Sequence, residues 1–440
     1  MTEVAAGRIT PAPIPRVLIV ADHASAKFGG EAALALHYFR VLRARGAAVW
    51  LISHARTRDE LTAVFGCEPR IRYVEDTWLH RFMWRLGRGL PARLSYLTTG
   101  YIVRLSSQFE QRRLVQRLIA EERIDVIHQP MPVSPREPSV LYGFGIPVVI
   151  GPMNGGMEWP PAFRPSRGGP GRALFALARA SAGVLNALLP GKRRAALLLV
   201  ANQRTRQALP AGIDRPVIEM VENGVDFGVW REDGRGGEEI VANDDATTFV
   251  FMGRLVDWKA VDLLIHAFKQ ARRRAPMRLL IVGDGDEREG LENVARQLGV
   301  LAAPGNRSTP IEAGHVAFVG WLPQTECAWL LRQSDSLVLP SLLECGGAVV
   351  LEAMAMAKPV IATAWGGPMD YLDPSCGILV PPSGRDTLVS GLADAMVRLA
   401  DSPAERMQMG ESGYRKVRRL YDWEVKVDRM IEHYRAVMRP

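Results

Sequence analysis

Cysteine is scarce: Cys67, Cys327, Cys345 and Cys376 are the four in 440 residues, with no Cys-x-x-Cys spacing. That excludes a disulfide scaffold and a structural zinc site, and predicts a reducing compartment. Long apolar runs are missing too. The nearest, Ala173 to Pro190, is broken by Arg179, so no segment reads as membrane-spanning. The opening MTEVAAGRITPAPIPRVLIVAD lacks a signal-peptide cleavage pattern, which predicts a cytosolic chain. A complete dinucleotide fingerprint is also absent. Val282-Gly283-Asp284-Gly285 carries Arg288 where the third glycine belongs, so a nicotinamide cofactor loses its support.

What is present is ordinary in bulk and uneven in detail. With 48% apolar and 23% charged residues, fibrous and disordered classes drop out, and the length suits two or three domains. Residues 1–220 hold 30 Lys+Arg against 16 Asp+Glu, a balance of +14; residues 221–440 have a balance of −6. Two domains with different partners are expected, the first facing something anionic. Apolar runs without polar alternation recur along both halves: RVLIVAD, AVWLIS, DVIHQP, PVVIG and LLLVAN, then TTFVFMG, RLLIVGDG, HVAFVG, SLVLPS, KPVIATA and GILVPP. Such runs, separated by helix-like stretches, are parallel strands buried on both faces. An acidic, Gly-rich patch, REDGRGGEEIVANDD, separates the series, which favours two doubly wound α/β domains over one barrel.

Ligands in such sheets sit where strands give way to loops. The first junction holds Gly29 and Gly30, whose backbone can approach a ligand at a helix start; alone, it reads equally as a tight turn. At the second, Gly253 is followed by Arg254 and Lys259, a spacing that suits a diphosphate clamp as well as two exposed cations. The third, PSLLECGGAVVLEAMAMAKPVIAT, places Glu344 in a loop, then Gly346, Gly347 and Ala348 at a helix start, then Glu352 within the helix. Carboxylates there can take vicinal hydroxyls, and the bare amides can face an anion.

Taken in order, these segments resemble the retaining glycosyltransferases of family 4. The likeness spans Gly29-Gly30, VENGVD (221–226), GRL…K (253–259), VGDG (282–285), FVGWLP (318–323), Glu344-x7-Glu352 and YDWE (421–424). It implies the GT-B fold, two Rossmann-like domains facing a cleft: acceptor-binding residues 1–215, nucleotide-sugar-binding residues 216–418, and a helix over 419–440 crossing back to the first domain. It implies that Arg254 and Lys259 hold the donor diphosphate, Glu352 the ribose, and Glu344 the transferred sugar beside Gly346 to Ala348. Trp321 and Leu322 would frame the base. Where the family has His-x-His, this chain has His128-Gln129-Pro130, which leaves His128 a catalytic candidate and equally a structural histidine. Gly346 replaces a usual aromatic, and Asn154-Gly155-Gly156 sits at a further junction as a source of backbone donors. The implied activity is metal-independent transfer of a sugar, with retention, to a lipid-linked or polysaccharide acceptor, with no cofactor besides the donor. A nucleotide-sugar epimerase and a basic binding protein are the alternatives; no nucleic-acid partner is expected, for want of a recognisable fold. Finally, Arg81, Arg85 and Arg88 recur at helical spacing among Trp78, Leu79, Phe82, Met83, Trp84 and Leu86, with Arg93 and Arg104 beyond. That mixture reads either as a helix on an anionic membrane surface or as a core-packing helix with solvated arginines.

Overall fold

A computed structural model describes residues 13–90, 94–95, 98–164, 182–231, 244–303 and 310–439. Most of the acidic patch, Arg93 and much of the Ala173–Pro190 run lie outside them. Two parallel sheets are built from the expected runs. In the first lie β1 (Val17–Val20), β2 (Val49–His54), β3 (Ile71–Val74), β4 (Val126–Gln129), β5 (Val148–Met153), β6 (Leu197–Val200) and β7 (Val217–Glu219). The second contains β8 (Thr247–Met252), β9 (Met277–Val282), β10 (Val316–Gly320), β11 (Ser336–Leu339), β12 (Val360–Thr363) and β13 (Gly377–Val380).

The strand orders are β3-β2-β1-β4-β5-β6-β7 and β10-β9-β8-β11-β12-β13. Every residue of β1, β2, β8, β9 and β11 is buried, because helices cover both faces of each sheet. Strands β3 and β7 were not expected. Both are short edges, and Ile218 and Glu219 of β7 are exposed, so neither reads as a two-sided apolar run. Because β7 pairs with β6, the first sheet continues through Glu219, past the boundary expected at 215.

Helices of the first unit are α1 (Gly30–Ala44), α2 (Arg58–Phe65), α3 (Trp78–Gly87), α4 (Thr99–Glu121), α5 (Gly191–Arg194) and α6 (Gln203–Gln207). Those of the second are α7 (Val261–Ala271), α8 (Arg288–Gln297), α9 (Gln324–Gln333), α10 (Ala348–Ala355), α11 (Pro368–Tyr371), α12 (Arg385–Asp401) and α13 (Pro403–Leu420). The chain then returns as α14 (Trp423–Met438), which packs on α1. Trp423, Val427, Met430, Ile431 and Tyr434 share one core with Val17, Ile19, Leu34 and Tyr38. No described helix is long and apolar enough to cross a membrane.

Candidate active site

Strand order turns back between β1 and β4 in one sheet, and between β8 and β11 in the other. At such a reversal the loops leave in opposite directions and open a crevice beyond the strand ends. The expected donor residues occupy these junctions. Arg254 follows β8, and Lys259 ends a short turn of 3-10 helix, Asp257–Lys259. Ala260, at φ 52°, then swings the chain into α7. Left-handed backbone costs an L-residue about 1–2 kcal/mol, and such strain collects at functional loops.

Lys259 Nζ donates to Glu344 Oε2, and both side chains are largely buried. The two residues expected on different parts of the donor therefore hold each other. Arg254 is exposed and pairs with no described group. Three strand-end loops are stitched beneath them: Gly253 N donates to Val282 O at 3.0 Å, Leu255 N to Asp284 O at 3.0 Å, and Gly283 N to Gly320 O at 2.8 Å. Leu342 N donates to Trp258 O at 2.8 Å, which joins the loop after β11 to the loop after β8.

The 344–347 loop passes between two walls. On one side Gly367 N donates to Glu344 O at 2.7 Å. On the other, a side chain on Gly346 would overlap Glu222 and Asn223, which explains the small residue at this position. Gly347, at φ 80°, caps α10 without a side chain; Val350 N turns back to Gly347 O at 2.9 Å, and no side chain caps the amides of Ala348 and Val349. Across the gap, Gly29 at φ 96° opens α1 the same way, and Gly30 lies close to Asn223 Oδ1. Two helix N-termini, each with a positive dipole end, thus approach Asn223 from opposite sheets.

Glu352 sits half-buried on α10, its carboxyl group without a hydrogen-bond partner among the described residues, and burial pushes that carboxyl up to about 7. Cys327 of α9 lies near it; desolvation, and then the Glu352 charge, raise that thiol to about 12. Cys327 Sγ donates to Leu322 O at 3.6 Å, so Leu322 is held inward while Trp321 stays exposed.

Contacts between the units converge on the same loop. Asn154 Nδ2 donates to Cys345 O at 2.9 Å and to Glu222 Oε1 at 2.8 Å. Arg204 reaches Cys345 O at 3.3 Å, and Asn223 Nδ2 donates to Tyr371 OH at 3.0 Å. Sequence reading missed Arg204 and Tyr371, and expected backbone rather than side-chain donors at Asn154. Its only signals were the Asn-Gly-Gly after β5 and the VENGVD segment.

His128 is corrected. It is fully buried within β4, donates from Nε2 to Gly151 O at 2.7 Å, and accepts from Tyr434 OH at Nδ1, also 2.7 Å. Burial drives it down to about 4, so it is neutral, with both nitrogens occupied by protein partners. It anchors α14; it has no free atom for a sugar.

Comparison with known proteins bears on the fold. A glycosyltransferase from Rickettsia africae superposes with a TM-score of 0.66, covering 97% of this chain and 99% of that one, at 15% identity. Anabaena HepE, solved in complex with UDP, gives 0.61 over 96% and 99%, at 16% identity. The fold is GT-B. Residues 237–416 match the model of glycosyl transferases group 1. The D-inositol 3-phosphate glycosyltransferase of Segniliparus rotundus is 29% identical over 234 residues, 51% of this chain and 48% of that protein. Glycogen synthase of Mycobacterium tuberculosis is 30% identical over 228 residues, 50% of this chain and 49% of that protein. The chain spans about half the length of the curated relatives it matches.

Proposed function

We propose that the chain is a retaining, metal-independent glycosyltransferase that moves a sugar from a nucleotide-sugar to a lipid-linked or polysaccharide acceptor. One observation carries this reading: at the switch-point loops the Lys259–Glu344 pair lies beside the glycine-capped N-terminus of α10, and the N-terminus of α1 comes up to Asn223, which borders the same loop. When a nucleoside diphosphate leaves an anomeric carbon, negative charge grows on its bridging oxygen while the sugar becomes oxocarbenium-like. Fixed cations and helix ends already aimed at that oxygen stabilise the transition state without reorganisation, and supply the charge a metal ion would otherwise bring. The departing phosphate can then take the acceptor's proton on the same face, which gives retention without a carboxylate base.

In this scheme Glu344 exchanges part of its contact with Lys259 for hydroxyls of the transferred sugar, freeing ammonium protons for the diphosphate. Glu352 takes the ribose hydroxyls. Hydrolases use two facing carboxylates as acid and base; here one is engaged by a cation and the other sits on a helix with its carboxyl raised by burial, set to take hydroxyls. The UDP held by Anabaena HepE puts uridine diphosphate-sugars first among donors to try.

The test is release of nucleoside diphosphate from a panel of nucleotide-sugars in the presence of a chelator. Slow release by the wild type is expected, with Lys259→Ala and Arg254→Ala each lowering turnover about a hundredfold or more, the scale for one oxyanion donor. Near-wild-type turnover of Lys259→Ala at saturating donor overturns the clamp. Epimerised donor without diphosphate release replaces transfer with the epimerase reading.

A further inference from the structure

Helix α3 presents four of its large apolar side chains to solvent. Trp78 is 72% exposed, Trp84 63%, Leu86 54% and Phe82 53%. The helix is not loose. Thr77 and His80 form a reciprocal cap at its start, and His80 is held at 3.0 Å from Ser107 Oγ of α4. Gly87 lets it approach closely; a side chain there would come within 2.6 Å of Thr99 Oγ1. His80 and Gly87, with the half-buried Leu79 and Met83 on the same side, thus seat α3, while Trp78, Phe82, Trp84 and Leu86 point away from the core.

At 100° per residue, Trp84, Arg88, Arg81, Arg85, Trp78, Phe82 and Leu86 follow one another around an outward arc of roughly 200°. The three arginines are exposed and form no ion pair among the described residues, and α3 itself contains no acidic residue. Arg88 stacks over the Trp84 ring at 4.9 Å. The result is a cationic strip flanked on both sides by aromatic and aliphatic groups, on the unit whose sequence carries the +14 balance.

We propose that α3 is a docking helix for an anionic lipid surface. Tryptophan and phenylalanine settle at the boundary between headgroups and acyl chains, and arginines beside them reach the lipid phosphates. The arrangement fits other occupants less well. A second copy would set one cationic strip against another. A single nucleic-acid strand is gripped in a charged groove that tracks its backbone, whereas α3 offers one ridge. The inference rests on the lipid-linked branch of the acceptor reading, which it would bring beside the first unit's cleft.

Co-sedimentation of the full chain with phosphatidylglycerol-containing vesicles, and with pure phosphatidylcholine vesicles, tests it at low and high salt. Binding to the anionic vesicles alone, reversed by salt, is expected. R81S/R85S/R88S should bind about a hundredfold more weakly, at about fivefold per basic residue. W78S/F82S should also lose affinity, with its charge unchanged. Both variants should keep the wild-type thermal shift given by UDP, which reports an intact fold and donor unit. Negligible or equal binding to both vesicles at low salt overturns the proposal, as does wild-type binding by the triple-arginine variant. So does self-association or nucleic-acid binding that takes the place of vesicles. Vesicle failure with an intact UDP shift leaves the transferase reading standing. Vesicle binding by a chain that no nucleoside diphosphate stabilises removes that reading alone.

Discussion

Glu352 carries an acid–base consequence at the scale of a single residue. Its folded-state carboxyl titrates near 7, above the ordinary 4.5, because burial disfavours the anion. Between those values the folded, ligand-free chain holds a proton that the unfolded chain has lost, so raising pH through the window lowers stability. Binding runs the other way. In the proposed role, ribose hydroxyls donating to Glu352 would favour the carboxylate, so the donor would expel the proton and affinity would rise with pH. We expect nucleotide-sugar affinity, measured calorimetrically, to weaken about five- to tenfold from pH 7.5 to 6. A nucleotide-sugar is the right ligand, since its phosphates do not titrate there. Glu352→Gln should flatten the profile; an unchanged slope in that variant assigns the proton elsewhere.

At the scale of elements, the cleft depends on loops that touch through their backbones. A side chain on Gly283 would overlap the Gly253 carbonyl, and one on Gly285 the Leu255 carbonyl. The VGDG turn that looks like a partial dinucleotide fingerprint is a packing joint between the ends of β8 and β9. Gly283→Ala should therefore lower the melting temperature, at a cost of about 1–3 kcal/mol, and weaken donor binding by displacing Arg254. Destabilisation without any change in donor affinity would separate the joint from the site. The same level shows what a sequence reveals. Runs such as TTFVFM announce themselves because both faces are buried, and their ends point to Arg254, Lys259, Glu344 and Glu352. Edges such as β7, with its exposed Ile218 and Glu219, carry no such mark. Pairings such as Asn154 with Cys345 or His128 with Tyr434, 191 and 306 residues apart, leave no local pattern. That is why His128 could read as catalytic. Helix α3 was legible as aromatic and basic, but its seating through Gly87 and His80 was not.

At the scale of the whole molecule, the units are joined twice, and the two connections are bonded to each other. Val225 N donates to Tyr421 O at 2.8 Å, and Trp423 N to Val225 O at 3.1 Å. Immediately beyond, Trp423 stacks on His37 at 4.8 Å and meets Tyr38 edge-on at 5.1 Å. Lys426 is buried beside it and donates to Val221 O; burial, opposed by the Glu222 charge, brings its ammonium down to about 7. Trp423→Ala should cost about 3–5 kcal/mol by emptying this joint. Denaturant titration with proteolysis of α14 as a second probe would check it; an undisplaced transition would mean that α14 adds little to the first unit.

The return of α14 also sets an order of events during synthesis. Residues through Glu219 can form all seven strands of the first sheet, yet the face that receives Trp423, Val427, Met430, Ile431 and Tyr434 has nothing to cover it. Roughly 200 more residues must be made first, which takes about 10–40 s at ~5–20 residues per second. For that interval the nascent chain shows an apolar groove along α1, open to chaperones and to neighbouring chains on the same message. The half that is translated first is therefore finished last.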